Sequence, residues 1–103
     1  MLEFHYKFED INHYPNFGSV LFPNPEHISP KDAENLVIKK LMDGMFFLPE
    51  KWEIPKVIID SWQNKNKVRW YQFDKITEAD ILDRHIMDYT FKEWVKKIKS
   101  FNT

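Results

Sequence analysis

Residues 2–9 of the chain read LEFHYKFE, and this stretch decides the fold. Its apolar members fall on one side of an extended chain: Leu2, Phe4, Tyr6 and Phe8. Its polar members fall on the other side: Glu3, His5, Lys7 and Glu9. A period of two over eight residues is typical of an antiparallel strand with one buried face and one solvated face. We therefore predict a half-buried antiparallel strand over residues 2–9.

After this strand, residues 12–18 read NHYPNFG, which is typical of a turn or short loop. A second strand is predicted over residues 19–22, where Pro23 stops it. The next segment predicts a helix over residues 29–43. Ser29 is suited to the N-cap and Pro30 to the first helical position, and Gly44 follows where a left-handed cap belongs.

The middle of the chain predicts further strands, over residues 45–48, 57–59 and 68–73. Between the first two, a proline-bracketed loop anchors Trp52 and Ile54 inward. The polar residues 63–67 predict a hairpin loop before the last of these strands.

Two helical segments are predicted near the C-terminus. Residues 77–88 have usable helical spacing, with Thr77 and Glu78 in its first turn. Thr90 and Glu93 form a capping-box pattern that opens a terminal helix. The apolar face of this helix consists of Phe91, Trp94, Val95 and Ile98.

Together these segments predict an α+β fold with an antiparallel sheet of about four to five strands and two or three helices packed on one face. With 103 residues, the chain is expected to form a single domain, residues 1–103. It has no cysteine, which removes disulfides and thiol chemistry and favours a reducing, cytoplasmic location. No signal peptide or membrane-spanning run is visible.

Aromatic residues make up 17% of the chain, and their apolar area exceeds what one small core usually needs. The plainer interpretation is a core filled with rings. The alternative is that some rings lie at the surface, where a partner covers them. On that basis, and by elimination, the leading hypothesis is a non-enzymatic protein-binding module, such as an inhibitor or immunity-type partner of a larger bacterial protein. A homodimer is also compatible with the sequence. The candidate anchors are Trp52, Trp62, Trp70 and Tyr71.

A second hypothesis is single-stranded nucleic-acid binding through the basic and aromatic residues of 65–71. Lys65, Lys67 and Arg69 would follow the phosphates, and Tyr71 would stack on bases. The net charge of −1 and the pI near 6.4 argue against a general polyanion binder. The plainer interpretation is a charged hairpin.

A third hypothesis is a small hydrolase or lyase that uses His85 and neighbouring carboxylates. The four histidines show no metal-ligand spacing, and no serine lies in a nucleophile motif. With two glycines, the chain has no phosphate-binding loop. The sequence therefore predicts no metal and no cofactor, and an enzyme is the weaker expectation.

Overall fold

The computed structural model describes residues 1–9, 14–49, 51–54, 70–80 and 86–98. Its elements are β1 (Leu2–Glu9), β2 (Pro15–Phe22), α1 (Pro30–Ile38), β3 (Phe46–Phe47), β4 (Tyr71–Glu78) and α2 (Phe91–Lys97). The described strands form one open antiparallel sheet in the order β2-β1-β4-β3. The protein is thus a mixed α+β fold with four described strands and two described helices, in agreement with the predicted class.

Strand β1 lies inside the sheet and matches the predicted range of 2–9. It pairs with β2 from Leu2 opposite Phe22 to Glu9 opposite Pro15. On its other side it pairs with β4, with a β-bulge at the step from His5 to Tyr6. Because both partners are antiparallel to β1, β2 and β4 run parallel to each other and begin at the same end of the sheet.

The core lies on the face of β1 that carries its even-numbered side chains. These apolar residues share one buried cluster with residues of both helices, including Ala33, Val37, Phe91 and Trp94. The ring of Phe4 lies 5.3 Å from that of Trp94, edge to face. Most of the described aromatic residues are buried in this cluster, so the aromatic composition is largely a property of the core.

Helix α1 begins as predicted and ends earlier. Ser29 Oγ accepts a hydrogen bond from Asp32 N at 3.2 Å, and Pro30 is the first helical residue. The helix stops at Ile38, whereas the sequence predicted a helix to residue 43. Asp43 and Gly44 both have left-handed backbone conformations, with φ of 53° and 68°. They form the turn into β3, so the predicted helix cap is instead a loop residue.

Strand β2 is longer than predicted and includes residues 15–18, which the sequence assigned to a turn. The difference has a tertiary cause, because β1 supplies a pairing partner along the whole stretch. Gly18 lies directly under the ring of Tyr6, and a Cβ there would be 2.7 Å from ring atoms. Glycine is therefore needed here for close approach within a strand rather than for a turn.

The helix predicted over residues 77–88 is wrong at its start. Thr77 and Glu78 belong to β4 and pair with Glu3 and Leu2. Ile86 forms a parallel bridge with Leu21. At Thr77 and Glu78, helical spacing is overridden by pairing with β1, because non-local strand contacts outweigh a weak local preference.

Helix α2 agrees with the sequence. Thr90 Oγ1 accepts from Glu93 N at 3.2 Å, and Glu93 Oε1 accepts from Thr90 N at 3.0 Å, which completes the predicted capping box. At the other end, Lys40 Nζ donates to the carbonyl oxygens of Val95 and Ile98. A cation there satisfies carbonyl groups that the helix leaves open.

The loop before residue 55 also agrees with the sequence, because Trp52 and Ile54 point inward and are buried. The ring of Trp52 stacks on Phe47 with 4.9 Å between centroids. The predicted short strand over 45–48 corresponds to β3, and the strand predicted over 68–73 corresponds in part to β4. The strand predicted over 57–59 and the hairpin loop over 63–67 lie outside the described residues.

Candidate functional site

The face of the sheet opposite the core is the first candidate surface, and we call it the outer face. It carries the odd-numbered side chains of β1, and the register extends it across the neighbouring strands. One row at its end consists of Phe17, Lys7, Gln72 and Phe46, one residue from each strand. With strands about 4.8 Å apart, this row spans roughly 14 Å.

The two ends of the outer face differ in exposure. At one end, Leu21 is fully buried and Glu3 is only 6% exposed. At the other end, Phe17 is 68% exposed. The expectation that the polar side of β1 is uniformly solvated is therefore wrong for Glu3, and the accessible part of the face is the end that carries Phe17.

Three exposed aromatic residues lie at this same end of the sheet. Tyr14 immediately precedes β2 and is 67% exposed, and Trp70 immediately precedes β4 and is 38% exposed. Since β2 and β4 begin at the same end, these residues and Phe17 lie on one side of the molecule. We call Tyr14, Phe17 and Trp70 the aromatic end.

Sequence reasoning identified one member of the aromatic end and missed two. Trp70 was a candidate because it was expected to flank a loop or a strand edge. Tyr14 and Phe17 were missed because residues 12–18 were assigned to a turn. The alternation of side chains along the strand could have identified Phe17. Counting back from Leu21 in steps of two reaches Phe17, which lies on the same face as Leu21 and opposite Lys7.

A polar cluster occupies the middle of the outer face. Ser19 Oγ donates to Glu3 Oε2 at 2.7 Å, and His5 Nε2 lies 2.9 Å from Thr77 Oγ1. His5 Nε2 is also 3.6 Å from Glu3 Oε1. The hydrogen bond from Ser19 helps to satisfy a carboxylate that is taken almost completely out of water.

The surroundings of His5 disfavour the charged form of its imidazole. Partial burial lowers the pKa of His5 below 6.5, and the charge of Lys75 lowers it further. The carboxylate of Asp74 acts in the opposite direction, as a smaller effect. The lowered pKa therefore disfavours an ion pair between His5 and Glu3.

Ser19 lacks the arrangement of a serine nucleophile. A serine nucleophile needs its hydroxyl hydrogen-bonded to a base that can take the proton, and histidine is the usual base. The hydroxyl of Ser19 points to the Glu3 carboxylate, while His5 faces Thr77. Within the described part of the chain, no group of three or more His, Asp or Glu side chains could hold a metal ion.

The predicted partner anchors have different placements. Trp52 is fully buried, and Tyr71 is 5% exposed under the rings of Tyr6 and Phe8. Both belong to the core, so neither presents a surface for a partner in this structure. Trp70 is accessible, and Trp62 lies outside the described residues.

Most residues of the other two hypotheses belong to parts of the chain that the structure does not describe. Lys65, Lys67 and Arg69 lie outside the described residues, and so does His85. Tyr71 stacks on Phe8 with 4.6 Å between ring centroids, so its ring is occupied within the protein. A base could stack on Tyr71 only if this aromatic pair separated.

A second surface feature is a shallow cavity of about 380 Å³. It is lined by Met1, Asn24, His27, Glu78, Ala79 and Asp80. Asn24 fixes its rim by bonding both the N–H and the carbonyl oxygen of Ile28. The lining is mainly polar, with Glu78 and Asp80 exposed to solvent, and these two carboxylates alone do not define a ligand.

No described helix is long and apolar enough to cross a membrane. No protein-family model, no curated protein and no solved structure matches the chain. The candidate site that remains is therefore defined by its own geometry: an exposed aromatic end on the sheet, next to the polar cluster of Glu3, His5, Ser19 and Thr77.

Proposed function

We propose that the protein is a non-enzymatic protein-binding module that contacts its partner through the aromatic end. The single observation behind this proposal is the position of Tyr14, Phe17 and Trp70. These three rings are exposed at one end of the sheet, although most described aromatic residues are in the core. A small inhibitor or immunity-type protein is one form that such a module takes.

The chemistry of the aromatic end supports this proposal. Tyr, Trp and Phe are enriched at the centres of protein interfaces, because they bury a large area and lose little conformational entropy. Phe17 also has Lys7 directly opposite it on β1, and Lys7 is followed by Gln72 on β4. An apolar ring beside polar groups matches the usual arrangement of an anchor with a polar rim.

The placement of Phe17 on a paired strand also favours a role in binding. Its backbone is held in register by β1, and its neighbour Gly18 is covered by the ring of Tyr6. A side chain on such a strand is positioned before the partner arrives. Preorganisation of this kind lowers the entropy cost of binding.

Affinity capture from a lysate of the native host, followed by mass spectrometry, tests the proposal. We expect the wild-type protein to retain at least one specific protein, and the double variant Tyr14→Ser/Phe17→Ser to lose it by roughly tenfold or more. The matched control is Leu36→Ser, which removes an exposed apolar side chain from α1 on another part of the molecule.

Two outcomes would count against the proposal. One is that no protein is retained by wild-type bait at about micromolar concentration. The other is that the double variant and Leu36→Ser retain the same proteins in the same amounts. Circular dichroism of all three proteins shows whether any loss is due to unfolding.

A further inference from the structure

The two edges of the described sheet are protected very differently. On one side, β3 is only two residues long, and beyond it the Glu34 carboxylate of α1 accepts the Ile76 N–H of β4 at 2.9 Å. On the other side, β2 is eight residues long and reads PNFGSVLF, without any charged residue. Proteins normally guard an edge strand with charges, prolines, bulges or covering elements, because its free backbone groups can pair with another chain.

The backbone direction on β2 follows from one hydrogen bond. Met87 N donates to the carbonyl oxygen of Leu21 at 2.8 Å, so the backbone groups of Leu21 point away from β1. In a regular strand these directions alternate, and Ser19, Phe17 and Pro15 therefore also point outward. Among the described residues, only the Leu21 end of this edge has a pairing partner, which leaves residues 15–19 as its accessible stretch.

We propose that this stretch pairs with the same stretch of a second copy of the chain, antiparallel and about a two-fold axis at Phe17. In this register the two Phe17 residues exchange N–H and carbonyl groups. The N–H of each Ser19 meets the carbonyl oxygen of the other copy's Pro15. Proline has no N–H to offer, so the Ser19 carbonyl oxygen opposite it receives no bond from the second copy, and the contact is limited to the bonds just named. The edge is thus complementary to itself, as a two-fold contact requires.

Side chains and charge favour the same occupant. The two Phe17 rings become directly opposite neighbours on the outer face, an arrangement in which aromatic pairs are stabilising. No like charges meet, because β2 carries none. A contact of this length buries less than the roughly 1,200–2,000 Å² of a stable interface, so the dimer is weak and depends on concentration.

This inference goes beyond the proposed function and can fail without it. Edge pairing joins two outer faces into one continuous surface, and Tyr14 and Trp70 lie outside the paired stretch. A chain that stays monomeric would overturn the dimer, while the affinity capture result would stand.

Sedimentation of the wild-type protein between about 5 µM and 500 µM tests the dimer by mass action. We expect a reversible shift from monomer to dimer. Phe17→Lys places two lysines next to each other across the axis and should abolish the shift. The control Gln72→Lys adds the same charge to the same outer face, and its lysine also lies opposite Lys7. It should leave the shift intact.

Amide hydrogen exchange of the wild-type protein gives a readout that needs no variant. The Phe17 and Ser19 amides should exchange roughly tenfold or more slowly at the high concentration than at the low one. The proposal is overturned by a monomer at all concentrations, by a dimer that persists in Phe17→Lys, or by a dimer that Gln72→Lys also abolishes. Protection that is equal at both concentrations would likewise overturn it, since the edge would then be covered within one chain.

Discussion

The two sides of β1 have different surroundings, although they alternate residue by residue along one strand. Leu2, Phe4, Tyr6 and Phe8 are all buried and belong to one cluster with residues of both helices. On the outer face, Glu3 is buried, whereas His5 and Lys7 are half-buried. The side chains on the core side therefore stabilise the fold, whereas the outer side carries polar side chains that solvent or a partner can reach.

The largest expected effect is on the core side. Phe4→Ala removes a fully buried ring that contacts the rings of Tyr6, Phe47, Phe73 and Trp94. We expect it to lower the free energy of unfolding by about 3–5 kcal/mol, measured by urea denaturation. Phe17→Ala, the matched change on the outer side, should cost less than about 1 kcal/mol. Similar losses in both variants would remove the distinction between the two faces.

A smaller effect is expected where the two strands approach most closely. Gly18→Ala places a Cβ 2.7 Å from the Tyr6 ring, which must shift. We expect a loss of about 1–3 kcal/mol in the free energy of unfolding. The double variant with Tyr6→Leu should show a cost of the alanine that is clearly smaller, because the shorter side chain leaves room. An alanine that costs the same in both backgrounds would mean that the ring is not the obstacle.

The smallest effect is expected at His5 on the outer face. Because the pKa of His5 is below 6.5 in the folded protein, the unfolded chain binds its proton at higher pH. The unfolded state therefore holds more protons in the window between 6.5 and the lower folded pKa, and stability falls as pH decreases through it. We expect the wild-type protein to lose more stability between pH 7 and pH 5 than His5→Gln does. Parallel pH profiles for the two proteins would show that His5 is not responsible.

An element could be predicted from the sequence where residues close to one another in the chain are sufficient to form it. The capping residues Ser29, Thr90 and Glu93 act within one turn of backbone, and the structure confirms all three. Residues 15–18 and Thr77 were misassigned because each is a strand only by pairing with β1, which is distant in sequence. The sequence therefore identified Trp70 of the aromatic end but not Phe17, which lies in the misassigned residues 15–18.

The sequence by itself determined the central strand, the inward side of that strand and the start of both described helices. Alternation and capping are local properties, so they can be recognised without knowing any neighbour. The tertiary structure decided which rings are exposed, because exposure depends on what packs against a residue. It buried Trp52 and Tyr71, left Phe17 at the surface and placed the uncharged strand β2 at the edge of the described sheet. Binding depends on these tertiary features, since a partner contacts the surface that folding leaves exposed.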